Sequence, residues 1–415
     1  MKILFLTHYY PPEGNAPASR VSALAERWSA AGHDVTVITG VPNVPKGIIY
    51  DGYRNRWVQR EELNGVHVIR VWTYIAANKG FFRRILNYLS YMFTAFWRGL
   101  RLGFRPDVII ATSPQFFCAW AGCRLHSWRR IPFVMEVRDI WPEELEEVSI
   151  PKFVIKVLSW MARKMYRDSA KVVTVGEGYR QRLGELGVPK EKIEVVMNGV
   201  DSTLFYPRPV NHELLAQYGL DGKFICSFVG TIGMAHGLEI IIRTAELLRE
   251  RDPEGGIVLL LVGDGAEREH LEAEAREKHL DNVVFTGRVD KKMIPDWLCS
   301  SDISLVHLRK TKLYTTVMPS KIFESAGCGR PMIIGVDGFA WQLVDEAGAG
   351  VHIEPENAEE LTEVLLRLRA HPEECRQMGE NALTRLAANH NRDAQAAAYL
   401  KILEDIVNAN SERKK

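Results

Sequence analysis

FICSFVGTIGMAHGLEIIIRTAELL, residues 224–248, decides the fold. Six mostly apolar residues run into Gly230, Gly233 and Gly237. Leu238, Ile240, Ile241, Ala245 and Leu247 then recur at helical spacing. A short apolar run closed by glycine reads as a strand buried on both faces, and the stretch after it reads as a helix covering one face. Strand, glycine loop and helix together form the unit of a parallel α/β sheet.

The same alternation extends in both directions. Strands are predicted at 2–8, 34–39, 66–72, 107–111, 132–137 and 171–175, and again at 224–229, 257–262, 282–286, 302–307, 331–335 and 350–353. Helical patterns separate them; residues 17–31 place Val21, Leu24, Ala25 and Trp28 on one face. Each half therefore reads as a doubly wound, Rossmann-like α/β domain. The seam falls near 198–212, where Gly199, Pro207 and Pro209 interrupt the pattern. This gives domains at 1–200 and 201–392, followed by a last segment at 393–415. Ligands of such sheets bind beyond the carboxyl ends of the strands, so two such domains are expected to face one another across a cleft.

The chain has 415 residues with 46% hydrophobic and 25% charged, ordinary for a folded protein and excluding a disordered chain, a collagen or a disulfide miniprotein. Its net charge of +1 conceals a division. Residues 1–200 hold 28 Lys and Arg against 18 Asp and Glu, and the rest of the chain holds 25 against 34. A basic half joined to an acidic half implies two surfaces with different partners. The six cysteines form no CxxC pair and no metal-ligand spacing, so reduced, buried thiols in a cytosolic protein are expected. The apolar run at 3–6 is too short for a signal peptide, and no window supplies the ~20 apolar residues of a spanning helix. No nucleic-acid recognition motif accompanies the basic residues.

Three loops of the second half could hold phosphate. Gly230, Thr231 and Gly233 precede a helix N-terminus, where backbone N–H groups can approach an anion. Gly263-Asp264-Gly265 lacks the third glycine of a dinucleotide fingerprint, since Arg268 stands there. The most informative is MPSKIFESAGCGRP, 318–331. Pro319-Ser320 opens a helix with Ser320 as expected cap, and Lys321 lies in the first turn, where a cation opposes the helix dipole and needs an anion nearby. Glu324, one turn on, suits the diol of a ribose.

Together these residues resemble the GT-B glycosyltransferases, specifically the retaining family 4. The resemblance runs over nearly the whole chain: HYYPPEGNAPASR (8–20), GHDVTVIT (32–39), RDIWP (138–142), NGVD…F (198–205), VGTIG (229–233), VGDG (262–265), TGRV (286–289) and PSKIFESAGCGRP (319–331). The PPEG, RDIWP and PSKIFE variants are most similar to bacterial enzymes that transfer N-acetylated amino sugars such as fucosamine in O-antigen and capsule assembly. The resemblance implies a nucleoside-diphosphate sugar, expected to be a UDP-sugar, bound by the second domain, and a lipid-linked or glycan acceptor bound by the first. It implies a last helix, from residue 393, that crosses back onto the first domain. Glu324 would hold the donor ribose, and Val289, after Arg288, would meet the base through its backbone. Gly230, Thr231, Gly233, Gly263, Gly265, Arg288, Pro319, Ser320 and Lys321 would line the donor, with Gly14 approaching from the first domain. His8, Glu13, Asn15, Arg138 and Asp139 are acceptor-side candidates, and Asp139, Lys321 and Glu324 are the candidate catalytic residues.

The sequence departs from the family in three places. Thr316 stands where a first carboxylate is usual, Arg138-Asp139 replaces a His-Asp pair, and the basic residue expected in the 230–237 loop is absent, with His236 near its place. Lys321 is then the first candidate to stabilise the leaving diphosphate, followed by Lys310, Lys312 and Arg288. No Asp-x-Asp cluster occurs, so no metal and no cofactor are expected. A sugar-nucleotide epimerase of similar fold and an inactive membrane-docked assembly partner are the alternatives.

Residues 81–105 suggest a membrane face. Ile85, Leu89, Met92, Phe93, Phe96 and Leu100 form a stripe opposite Asn87, Ser90, Thr94 and Arg98, with Arg83, Arg84, Trp97, Arg98 and Arg101 as membrane-facing candidates. The segment 152–171 repeats the basic and aromatic mixture. A cytoplasmic protein docked on an anionic inner leaflet is expected, with a buried core helix as the alternative account of the stripe.

Overall fold

The computed structural model describes residues 1–44, 46–76, 81–113, 115–141, 151–312 and 314–412. It divides into two units, Met1–Met197 with Asp393–Lys415, and Asn198–Arg392. The first ends three residues before the boundary read from the sequence. The reason is local: Val200 N–H donates to His390 O, and Arg392 N–H donates to Val200 O, so residues 198–200 are pinned within the second unit.

The first unit is built on eight strands: β1 (Lys2–Leu6), β2 (Asp34–Thr39), β3 (Val58–Leu63), β4 (Val66–Val71), β5 (Val108–Thr112), β6 (Phe133–Val137), β7 (Lys171–Thr174) and β8 (Ile193–Val195). Their order is β3-β4-β2-β1-β5-β6-β7-β8. All pairs are parallel except β3 with β4. β3 is absent from the sequence reading because VQREEL is not an apolar run; it is an edge strand with half its residues in water. The turn Asn64-Gly65, both residues at positive φ, joins it to β4, and Asn-Gly is the strongest short hairpin signal a sequence offers.

The second unit has β9 (Phe224–Val229), β10 (Ile257–Val262), β11 (Val283–Gly287), β12 (Ile303–His307), β13 (Met332–Gly335) and β14 (Gly350–His352). They form one sheet in the order β11-β10-β9-β12-β13-β14, parallel throughout. Helices cover both faces of each sheet, and each face has its own apolar cluster. The helix Arg392–Glu412 belongs to the first unit. Tyr399 and Leu403 pack with Trp28, whose Nε1 donates to Ala396 O at 2.9 Å.

These orders place the site. β1 has β2 on one side and β5 on the other, and β9 has β10 and β12. At both strands the crossovers diverge, which opens a crevice at the carboxyl end. The loops that leave β1 and β9 are the 8–15 and 230–237 segments.

Among the described residues no helix is long and apolar enough to cross a membrane. The Phe81–Leu100 helix turns its polar side inward. Its buried side is Asn87, Tyr91, Ala95 and Gly99, while Leu86, Phe93 and Trp97 are exposed, and Met92, Phe96 and Leu100 are half-buried against the core. The polar side chains turn inward because backbone groups there need partners: Asn87 Nδ2 donates to Tyr74 O, Ser90 Oγ accepts from Tyr74 N–H, and Thr94 Oγ1 donates to Trp72 O.

Candidate functional site

At the carboxyl edge of the second sheet, the glycine loops are packed on one another. Gly230 and Gly263 adopt φ of +135° and +143°, conformations that L side chains rarely take. A Cβ on Gly263 would lie 2.0 Å from Gly230 O, and one on Gly265 would lie 2.1 Å from Ile232 O. Gly263 and Gly265 thus let the 263–265 loop pack beneath the 230–232 loop, which is a different service from opening a backbone to an anion.

Lys321 reaches this edge from the short helix Lys321–Gly327. Its Nζ donates to Val229 O at 2.6 Å and stands 4.2 Å from the centroid of the Phe228 ring. A Cβ on Gly230 would fall 2.0 Å from that Nζ and push the ammonium aside, and the φ of +135° there favours glycine in any case. The anion that a first-turn lysine needs is replaced by a carbonyl and an aromatic face. Burial pulls its pKa down to about 8, with Glu324 opposing the shift. Ser320, expected as the cap, is exposed, has helical dihedrals and makes no side-chain cap hydrogen bond. Glu324 is half-buried; burial raises its pKa, and Lys321, Arg392 and Lys291 pull it back. Thr231 and Arg288 are exposed, Val289 is half-buried against the core, and Pro319 lies half-buried before the helix. Of the substitute cations, Lys310 is committed to Glu354, and Lys312 is exposed. Thr316 sits in a single 3₁₀ turn, Tyr314–Thr316.

Sequence reasoning undervalued His236. Its ring packs edge-on to Phe228 at 5.3 Å, the ring that also carries Lys321, and its pKa falls to about 4 through burial and then the Lys321 charge. Its signal was its place before Gly237, in the loop that lacks any other basic residue.

The carboxyl edge of the first sheet is different. His8 is buried among Tyr9, Tyr88 and Tyr91, with ring centroids 4.7, 5.6 and 4.7 Å away. Its pKa is pushed down to about 3 by burial, so it stays neutral, and its Nδ1 has no partner among the described residues. Two acceptor-side candidates turn out to be committed to backbone. Glu13 is buried and accepts from Asn43 and Val44 N–H at 3.0 and 3.1 Å, holding the loop after β2. Asn15 caps the Ala16–Ala30 helix by accepting from Ala18 N–H at 2.9 Å. Gly14 has nothing within 4 Å of where its Cβ would stand.

Arg138 and Asp139 follow β6. Ser113 Oγ accepts from Arg138 N–H at 3.0 Å and fixes the turn. The Nε and Nη1 of Arg138 are buried without a hydrogen-bond partner among the described residues. Nearby Glu136 is fully buried and instead binds Arg20, 2.9 Å from Oε1. Burial raises the Asp139 pKa, and Arg138 lowers it. Pro142 of the RDIWP motif lies outside the described residues.

On the helical face of the first unit, Leu86, Phe93, Trp97, Trp128, Phe153, Val157 and Trp160 are exposed, Phe153 by 70% and Trp128 by 66%. Arg83, Arg84 and Arg101 are exposed beside them. Arg98 is not: it is half-buried, its Nη1 donates to Arg101 O at 2.6 Å, and its Nε is shut away from water.

Known proteins match the chain over both units. The family described as glycosyl transferase 4-like domain matches residues 15–199, and the family described as glycosyl transferases group 1 matches residues 211–385. The colanic acid biosynthesis glycosyl transferase WcaI of Escherichia coli (strain K12) is 25% identical over 398 residues, which is 92% of this chain and 96% of that protein. The O-antigen chain mannosyltransferase C of Escherichia coli is 30% identical over 184 residues, 43% of this chain and 46% of that one. Anabaena Alr3699/HepE, solved in complex with UDP-glucose, has the same fold, with a TM-score of 0.71 at 17% identity over 98% of this chain and 100% of that chain.

Proposed function

The chain belongs to the GT4-type glycosyltransferases of GT-B fold, and from that premise we propose that it transfers an N-acetylated amino sugar, with retention, from a UDP-sugar to a lipid-linked acceptor in cell-surface polysaccharide synthesis. The observation that carries this reading is the Lys321 ammonium seated on Val229 O beside Gly230, at the carboxyl end of β9.

When the sugar–phosphate bond breaks, the electron pair moves onto a diphosphate oxygen. The backbone N–H groups of Thr231 and Gly233 and the Lys321 ammonium face that charge, while those of Gly230 and Ile232 are spent on Val262 O and Asp264 O and hold the loop in place. A donor like this is worth about 2.7–4 kcal/mol of barrier. Glu324 holds the ribose diol, and Val289 meets the base. On the first unit, Asp139 orients a sugar hydroxyl, with Arg138 and His8 as further acceptor contacts. Attack comes from the face the diphosphate leaves, and no metal takes part.

The acceptor's lipid puts the first unit at a membrane. Aromatics and arginines on three adjacent helices, Phe81–Leu100, Phe116–Arg129 and Lys152–Asp168, support docking on an anionic cytoplasmic leaflet. The α-anomer or β-anomer of the product, read by NMR after reaction with a polyprenyl-diphosphate glycan in the presence of EDTA, tests the reading. An anomer matching that of the donor supports it; inversion, or loss of activity on chelation, counts against it.

A further inference from the structure

His236 is the titratable group of the donor edge that the reading above leaves unused. Its backbone is clamped from behind. Three consecutive carbonyls, of Met234, Ala235 and His236, accept from Arg309 Nε at 2.6 Å, Arg309 N–H at 3.0 Å and His307 Nδ1 at 2.6 Å. These carbonyls are thereby turned toward the end of β12. The imidazole lies on the other side, half-buried, against the Phe228 ring that also carries Lys321. Its Nδ1 lies 3.3 Å from Gly233 O, which fixes the proton on Nδ1 and leaves the Nε2 lone pair open.

We propose that His236 contacts the donor diphosphate through Nε2 and takes up a proton as the sugar nucleotide binds, so that an imidazolium joins Lys321 as the second cation facing the leaving group. The proposal rests on the reading of this edge as the donor site. The step balances simply. One proton passes from solvent to Nε2, and the new N–H donates to a phosphoryl oxygen. When the sugar–oxygen bond breaks, its electron pair stays on the diphosphate, between that N–H and the ammonium.

The neighbours explain why His236 is the group that titrates. Burial disfavours a proton on it in the free protein, and the Lys321 charge adds to this, so it is neutral there with a pKa of about 4. Two phosphate charges reverse that balance. His307, packed behind it on β12, has both nitrogens engaged, Nδ1 with His236 O and Nε2 with Glu356 N–H. A second proton there would cost the Glu356 hydrogen bond. Arg309 is matched by Glu239 and Glu356, with Glu267 nearby, and so adds little net charge. Lys321, with a pKa of about 8, is already protonated at the pH where His236 would load.

Calorimetric titration with UDP-N-acetylglucosamine and UDP-glucose tests this, because their diphosphates carry no proton that titrates near neutrality. Run at about pH 6.5, the ordinary histidine value, in two buffers of different ionisation enthalpy, wild type should absorb a measurable fraction of a proton per sugar nucleotide bound. His236→Gln should absorb none and bind on the order of tenfold more weakly there, with the gap closing at about pH 8.5. His236→Lys should bind tightly without uptake. Binding by wild type without uptake, or uptake that persists in His236→Gln, overturns the proposal while leaving the donor site standing. Failure of wild type to bind either nucleotide overturns the donor-site reading instead.

Discussion

The carboxyl edges of the two sheets are built to opposite designs. In the second unit, glycine backbones touch glycine backbones, and the Lys321 ammonium already rests on a carbonyl and a ring. In the first unit, His8 Nδ1 and two nitrogens of Arg138 are buried with no partner among the described residues. Leaving such groups unmade costs roughly 1–3 kcal/mol each. On the proposed reading, the edge of the second unit is preformed for the donor, and the edge of the first would be completed by what it binds.

The largest expected effect falls on the preformed side. Lys321→Met should cut transfer by on the order of 10²–10³ with the fold intact, as judged by thermal denaturation, because one fixed charge donor is lost. Asp139→Asn should lower acceptor-dependent turnover by less than that while leaving sugar-nucleotide affinity unchanged. If Asp139→Asn weakened donor binding as much as Lys321→Met, the division between the edges would fail.

Stability separates the edges next. Gly263→Ala forces a methyl group to 2.0 Å from Gly230 O at a φ of +143°. It should destabilise the protein by about 3 kcal/mol in urea denaturation and weaken donor binding. Gly14→Ala, with open space around it, should change stability by less than about 0.5 kcal/mol.

The pH profile of kcat/KM reads both edges in the free enzyme. Lys321 is a cation with a lowered pKa, so its contribution is full at lower pH and is lost as pH rises through about 8. Asp139 has a raised pKa, so its carboxylate is lost on acidification at a higher pH than an ordinary aspartate. The profile should therefore be narrow, and Lys321→Arg should extend its alkaline limb.

The smallest effect lies outside both edges. Trp97→Ser and Trp160→Ser should each weaken sedimentation with anionic vesicles by roughly 1–2 kcal/mol without altering sugar-nucleotide affinity. Binding unchanged by both substitutions together, at low salt, would remove the membrane from the account.

Much of this was legible in the chain. Uninterrupted Val, Ile and Leu runs announced the buried parallel strands, and glycines marked the loops that follow them. β3 was missed because its exposed face is charged, although Asn64-Gly65 announced the hairpin. Lys321 and Glu324 could be singled out as candidates because they lie in one continuous segment. What Lys321 touches could not, since Phe228 and Val229 lie more than 90 residues earlier. How the Phe81–Leu100 helix is seated was hidden for a related reason. Its amphipathic pattern is clear, but only Trp72 O and Tyr74 reveal which face the protein needs inside.

The most direct test of the central claim is nucleotide release from a panel of UDP- and GDP-sugars, with and without a polyprenyl-linked glycan, by wild type and Lys321→Met. The account predicts release that requires the acceptor and all but disappears in Lys321→Met. Release at the wild-type rate without Lys321, or none from any donor with any acceptor, would contradict it.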